Sequence, residues 1–462
     1  MLSHAGRAVV ITFIMLLVRL DESVLALSNS VIDDQAEVGN VLPELCASDP
    51  IYQTFEKIQQ QAYLDDKELH FGFLLDRKFQ SKLLQDLRSR LPIDTGEVNG
   101  ILGIDKRSYA QQIRDFENLE LPTCYESPLF YYRISVLVRD IEQARLALHK
   151  RLDGSPRFGS IPSNEINAYT YVSSDGRSGV IAMNVELFDF IHGMASIAAS
   201  VVDPDITKNM TQSDFITHAL LAISYNMQAK REFVNLIAAL LEGKPLHRIM
   251  LNPSKQVLAL VLAGAMERFV VGHEYGHLIN NDFSTSTKLP VGATGIDQYD
   301  VLNRTWPQEF EADAAGLELL IESLTKTAAD SPRDEAYFTY ALRAPLFFFD
   351  CEAILEGARY MKETGAMPNE MSVDGKAFIR ECVANPGSVP SCSRVLQETH
   401  PPAWLRRERL ENRVTEAINE RSRGPSAQTA SDKAKQMSMS VRLLWEESAR
   451  LLLAQLRQDG EF

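Results

Sequence analysis

Apolar and polar residues follow two different periods along this chain. Between Asp49 and Arg151 apolar side chains recur every three or four residues, most regularly over 55–91 and 130–148, the spacing that lines one face of an α-helix. Pro156 and Pro162 interrupt that pattern. Over 166–190 the period shortens: a β-rich run, a turn at 173–179 and a second run, G-V-I-A-M-N-V, predict a hairpin. A helical block follows, and after Pro253 the segment 257–266 (V-L-A-L-V-L-A-G-A-M) is apolar on every face. It is too short, and too soon followed by Glu267 and Arg268, to span a membrane, so it predicts a buried core helix. The stretch 283–306, rich in Ser, Thr, Gly and Asp, reads as a long connection that could cover a cleft. Pro307 then stands where a helix can begin, with a helical pattern over 308–324. Residues 385–393 are turn-rich, 423–433 read as a flexible linker, and 441–456 as an amphipathic terminal helix carrying both signs of charge.

These patterns divide the chain into a tail (1–35), an N-terminal helical segment (36–155), a central mixed unit (156–415, with a helical insertion at about 195–256) and a linker with a terminal helix (416–462). The expected fold class is α+β, predominantly helical, with a small edge sheet. A chain of 462 residues, 45% hydrophobic and 24% charged, can bury a substantial core. The formal charge is 47 − 62 = −15, which argues against nucleic acid as a partner, since gripping phosphates takes a basic stripe.

Five cysteines, odd in number and without a C-x-x-C pair, indicate neither a disulfide framework nor a cysteine zinc site. Cys382 and Cys392 flank a Pro/Gly loop and are read either as a pair in an oxidising compartment or as two free thiols. At the N-terminus, Arg7 precedes an apolar run over 8–18 of signal-peptide length. Arg19, Asp21 and Glu22 follow where a cleavage site should be small and neutral. The expected location is therefore cytoplasmic, with export or membrane association through residues 8–18 as the alternative.

The chemistry concentrates in H-E-Y-G-H, His273 to His277. Residues four apart share a helical face, so both imidazoles can converge on one ion, while Glu274 lies about 100° further round, beside the ion rather than on it. That arrangement holds Zn²⁺ and sets a carboxylate against its bound water. A catalytic zinc wants a third protein ligand, and Q-E-F-E-A-D-A-A-G, Gln308 to Gly316, offers Glu309. Asp313, four residues on, can accept a hydrogen bond from the outer nitrogen of a ligand histidine. Ala312, Ala314, Ala315 and Gly316 allow this helix to approach the first closely. Glu311 is the competing ligand but has Ala315 four residues on and so lacks such a partner. Tyr275 is expected to pack in the core.

H-E-Y-G-H-L-I-N-N-D followed by E-F-E-A-D resembles the gluzincin metallopeptidase family that includes the heat-shock protease HtpX and the CAAX prenyl endopeptidases. Asn280 and Asp282 match the family's helix end and Asp313 its closing aspartate. Asn167, Ala168 and Tyr169, followed by G-V-I-A-M-N-V, resemble its N-A-F hairpin, an edge strand that pairs with substrate. Thr399 to Arg407, T-H-P-P-A-W-L-R-R, resembles its T-H-P-P-x-x-x-R region, implying that His400 reaches the metal as an oxyanion partner or resting-state ligand, with Arg406 nearby. The resemblance implies a zincin-like domain with one zinc per chain on His273, His277 and Glu309, Glu274 as general base, and a protein or peptide substrate. It covers scattered motifs between 167 and 407; the family's membrane helices are missing, and the segments 36–155 and 195–256 have no counterpart. A latent metal-binding regulatory protein, or a metallohydrolase acting on non-peptide amides, are the competing readings.

Overall fold

The computed structural model describes residues 45–65, 114–116, 118–152, 156–163, 165–172, 179–201, 223, 226–242, 244, 249, 251, 253–282, 300–301, 305–325, 332–365, 367, 400–421 and 425–458. The apolar run at 8–18, the Cys382 and Cys392 pair, the loop at 385–393 and nearly all of the connection at 283–306 lie outside the described residues. The protein is predominantly helical with a small mixed sheet.

The helix expected after Pro253 is α5, Pro253–Asn280, and it continues past the apolar run to include the whole H-E-Y-G-H sequence. Lys255–Asn280 has the length and apolarity of a membrane span, yet 89% of that window is buried inside the protein, so its apolar faces are met by other elements. The most intimate of these is α6, Trp306–Thr325, which begins where Pro307 indicated. A Cβ at Gly276 would lie 2.8 Å from the Ala312 Cα, one at Gly316 would lie 2.8 Å from the His273 nitrogen, and one at Gly272 would lie 3.1 Å from the Gly316 Cα. The two helices therefore touch backbone to backbone. Ala312 and Gly316 supply the expected small residues on α6; Gly272 and Gly276 are their counterparts on α5, and a side chain at any of the three glycines would push the helices apart.

The sheet has strand order β1-β3-β2-β4. β2 (Ala168–Val172) and β3 (Gly179–Asn184) form the expected antiparallel pair, with Thr170 opposite Ile181. β1 (Arg157–Ile161) runs parallel to β3, and β4 (Asp300–Val301) pairs antiparallel with Tyr171 and Val172. β1 was not foreseen: Pro156 and Pro162 read as a break, but they bracket a five-residue strand, because proline terminates a ladder that it cannot join. β4 is too short for any periodic signal. Along β3, Ile181 and Met183 face the main helical core while Val180 and Ala182 face a smaller cluster around Phe55, so both faces are buried and the strand reads as continuously apolar. β2 alternates likewise, sending Tyr169 and Tyr171 to the Phe55 side and Ala168 to the helical side.

Phe55 belongs to α1 (Pro50–Asp65), which lies on the sheet face turned away from α5. A disulfide joins Cys46, just before α1, to Cys124, across 78 residues of sequence. This corrects the reading of the cysteines: the pairing joins segments whose proximity no local spacing announces. The fully buried Glu56 carboxylate accepts backbone N–H groups of Cys46, Ala47 and Cys124 and so holds both ends of the bridge. Beside it, Gln59 donates to Glu126 and to the Ser160 carbonyl, and Glu126 also accepts the Ser160 N–H and hydroxyl. Burial pushes the Glu126 carboxyl up to about 7 against the pull of those donors.

The helices before, within and after the central unit share one core. α2 (Pro128–Ala147) buries Ile134, Leu137, Ile141 and Ala144, α3 (Val185–Val201) buries Phe190 and Met194, and α4 (Met227–Glu242) buries Phe233 and Leu236, all in the main cluster. α7 (Pro332–Thr364) runs through that cluster, and α8 (Ala403–Arg421) and α9 (Pro425–Gln458) pack on it. The expected linker at 423–433 is a correction: α9 is helical from Pro425 onward. Met437, Val441 and Leu444 anchor it to the core, and packing extends a helix that composition alone leaves marginal. The division at 415 falls inside α8. Asp350 of α7 pairs with both Arg407 of α8 and Arg442 of α9.

Two expectations follow. Gly316→Val should lower stability by about 1–3 kcal/mol or more through overpacking against α5, read as a fall in the denaturation midpoint. The folded Glu126 carboxyl keeps a proton that the unfolded chain gives up, so its contribution to stability falls as pH climbs from 4.5 through about 7. The melting temperature of Glu126→Gln relative to wild type should therefore become more favourable between pH 5 and pH 8; a difference independent of pH would contradict the raised pKa.

Candidate metal centre

Because α5 is unbroken, His273 and His277 stand one turn apart on its buried face, with ring centroids 4.7 Å apart and perpendicular planes. Their Nε2 atoms approach to 3.1 Å. The outer nitrogen of each ring has its own carboxylate. His273 Nδ1 lies 2.9 Å from Asp313 Oδ1, and His277 Nδ1 lies 2.8 Å from Asp282 Oδ2. Asp282 can return to a histidine only five residues earlier because Asn281 takes the left-handed conformation (φ 57°) that ends the helix and reverses the chain.

α6 brings in the third donor. At its start, Gln308 Oε1 accepts the Thr305 N–H at 2.8 Å and the Thr305 hydroxyl at 3.0 Å, which ties the residue before the helix to its first turn. Glu309, in that turn, is fully buried. Its Oε2 lies 3.5 Å from His273 Nε2 and its Oε1 3.5 Å from His277 Nε2. Glu311 points to solvent, so of the two candidates only Glu309 reaches the histidines. Glu274 Oε1 lies 3.9 Å from His273 Nε2, beside the cluster.

α8 closes the back. It starts directly after Pro401 and Pro402, with Glu356 of α7 accepting the Ala403 N–H, and its first turn packs on Trp306 and Phe310 of α6 through Leu405. Arg406 is thereby set with Nε 2.9 Å from Asp313 Oδ2 and Nη2 2.6 Å from Asp313 Oδ1, a bidentate grip. Its guanidinium also lies 4.5 Å from the centre of the Phe349 ring and 3.8 Å from Glu309. His400, just before the prolines, is the exposed member: its side chain is 42% accessible, with Nε2 3.9 Å from Glu309 Oε2.

Burial on its own would raise the Asp313 carboxyl, but the Arg406 guanidinium outweighs it and holds Asp313 below the usual carboxylate range. Burial likewise disfavours a charged His273, but its hydrogen bond to Asp313 and the nearby Glu309 carboxylate carry the imidazole up to about 9. The Asp313 shift reflects the Arg406 cation, and the His273 shift reflects the carboxylates around the imidazole. With each Nδ1–H donated to an aspartate, both Nε2 lone pairs face each other and a carboxylate. The two Nε2 atoms lie 3.1 Å apart, and each lies 3.5 Å from a different oxygen of Glu309 (Oε2 for His273, Oε1 for His277), spacings close to the about 3.3 Å between donors around a tetrahedral ion with metal bonds of 2.0–2.1 Å. Two imidazoles and one carboxylate therefore fit a zinc ion. The other metal-capable group among the described residues, Cys46, Glu56 and Cys124, is closed by the disulfide and offers no thiolate.

The remaining predicted residues stand on the sheet. Asn167 receives the Asn184 N–H on its carbonyl and the Ala168 N–H on its side chain. Tyr169 turns away from the cluster, and its hydroxyl donates to Glu165. Tyr275 is buried in the main core, as expected. Two participants were not foreseen from sequence. Asp282 was noted only as a helix-end residue, although its position after His277 was visible. Thr170, fully buried, donates its hydroxyl to Glu274 Oε2 at 2.5 Å; only the strand register against α5 makes that contact.

Comparison with protein-family models, with curated proteins and with solved structures returned no match. The arrangement of donors is thus the ground on which a function is assigned. Asp313→Asn, which weakens the partner of His273, should reduce zinc affinity by about 10–100-fold, measured by competition with a chromogenic chelator; unchanged affinity would remove Asp313 from the site.

Proposed function

We propose that this chain is a zinc-dependent endopeptidase of the gluzincin type, with a zincin-like centre built from α5, α6, α8 and the sheet, similar to the HtpX and CAAX prenyl endopeptidase family. The observation that carries the reading is the buried triangle of His273 Nε2, His277 Nε2 and the Glu309 carboxylate, with Glu274 beside it. His273, His277 and Glu309 hold the metal. When bound there, zinc polarises a carbonyl and lowers the pKa of a water to about 7.

Glu274 is the general base: Oε1 faces the cluster, takes the proton of the attacking water and passes it to the departing amine. Asp313 and Asp282 keep both imidazoles in the tautomer that turns Nε2 inward, and Arg406 keeps Asp313 ionised. His400, accessible from solvent and close to Glu309, donates to the carbonyl oxygen as negative charge develops on it. An intact base in a purely structural site would have no use, which favours an enzyme over a latent metal-binding protein. The outer edge of β2 at Ala168, Tyr169 and Thr170 faces no other strand among the described residues, whereas Tyr171 and Val172 are covered by β4. An extended peptide adding to that short edge would lie over Glu274, a recognition mode that reads backbone rather than side chains.

The disulfide between Cys46 and Cys124 supports work in an oxidising compartment, reached by export, over the cytoplasmic location expected from the N-terminus. Metal analysis by mass spectrometry on the purified protein should find one zinc per chain, lost in His277→Ala. Cleavage of casein or a peptide library should fall about 10²–10⁴-fold in Glu274→Gln, the usual worth of a general base. Absence of any bound metal would overturn the proposal.

A further inference from the structure

Glu274 is a buried carboxylate on a helix, and its efficiency as a base depends on how well an oxygen is kept aimed at the cluster. The contact that holds it comes from the sheet. Thr170 sits in the middle of β2, paired with Ile181 of β3, and its neighbours Tyr169 and Tyr171 pack on the opposite face. The pleat therefore commits Thr170 to the α5 side. Its Oγ1 is 2.5 Å from Glu274 Oε2, while Oε1 lies 3.9 Å from His273 Nε2. Threonine has a stiff χ1, and a strand paired along β3 keeps the hydroxyl where the carboxylate needs it.

From this geometry we infer that Thr170 is the positioning residue of the base: it holds Oε2 so that Oε1 is presented to the water, and it ties the peptide-binding strand to the catalytic helix. The inference rests on the peptidase reading given above. A side chain of the same shape without a hydroxyl removes the tether and keeps the packing, so Thr170→Val isolates it. Serine restores the hydroxyl at the cost of a methyl group. Thr170 bonds to Glu274, which is not one of the proposed ligands, so the zinc content of both variants should equal that of wild type.

The test has two arms. In the first, steady-state cleavage of a peptide substrate by Thr170→Val should show kcat reduced about 10–100-fold, the scale of a misplaced catalytic group, with KM changed by less than about twofold and zinc retained; Thr170→Ser should recover most of kcat. A role in packing alone would lower stability without this split and without rescue by serine. In the second arm, independent of turnover, denaturation midpoints are measured for Thr170→Val, Glu274→Ala (which, unlike glutamine, leaves no acceptor) and the double variant. A hydrogen bond between the two side chains makes the shifts non-additive. Additive shifts, or wild-type kcat in Thr170→Val, would overturn the inference. If the purified chain held no zinc, or Glu274→Gln left cleavage intact, the peptidase reading itself would fall, and the midpoint cycle would still decide whether Thr170 holds Glu274.

Discussion

The backbone contact between α5 and α6 is the constraint on which the rest of the structure depends. Helices separated by ordinary side chains stand about 8–10 Å apart; here the backbones touch, and Glu309 of one helix lies buried 3.5 Å from both histidine Nε2 atoms of the other. Gly272, Gly276, Ala312 and Gly316 remove the side chains that would keep the axes apart. The closeness has a cost, since four small residues bury little apolar surface at the crossing. It is offset by the outer faces of the same helices, where Phe269, Leu262, Leu317 and Leu320 enter the main core.

Once the helices are that close, electrostatics dictates what else must be present. Glu274, Glu309, Asp313 and Asp282 converge around two imidazoles, all of them buried. Carboxylates out of water are costly unless paired. Arg406 compensates Asp313, and the aspartates bind the imidazole N–H groups, which leaves both Nε2 atoms facing the Glu309 carboxylate. The raised pKa of His273 and the lowered pKa of Asp313 are two expressions of that arrangement. The sheet completes it: Thr170 of β2 donates to Glu274 and so gives that buried carboxylate a partner without adding a charge.

The other side of the sheet explains why a small set of strands can be this rigid. α1 covers it with Phe55, and the disulfide, Glu56 and the network around Glu126 fix α1 to the loop before α2. Polar groups buried there are matched to donors, so α1 has one docking position rather than a range of them. β2 is consequently held from both faces, by Phe55 packing on Tyr171 and by Glu274 bonding to Thr170.

Much of the site was legible in the chain because its logic is local. Spacing of four on a helix puts His273 with His277 and Glu309 with Asp313, and the alternation over 166–190 announces β2 and β3. The small residues of α6 foretold a close helix crossing, since only the absence of side chains permits one. What the sequence alone could not determine were relations between distant segments, because these depend on register and path rather than on period. The pairing of Cys46 with Cys124, the parallel strand β1 between two prolines, the hydroxyl of Thr170 on Glu274 and the return of Asp282 to His277 past a left-handed Asn281 belong to that group. So does α9, whose first turns have the composition of a linker and become helix because the turns that follow are packed. Local periodicity determined which side chains share a face; only the tertiary structure decided which faces meet, because that choice is made by shape and burial summed over the whole core.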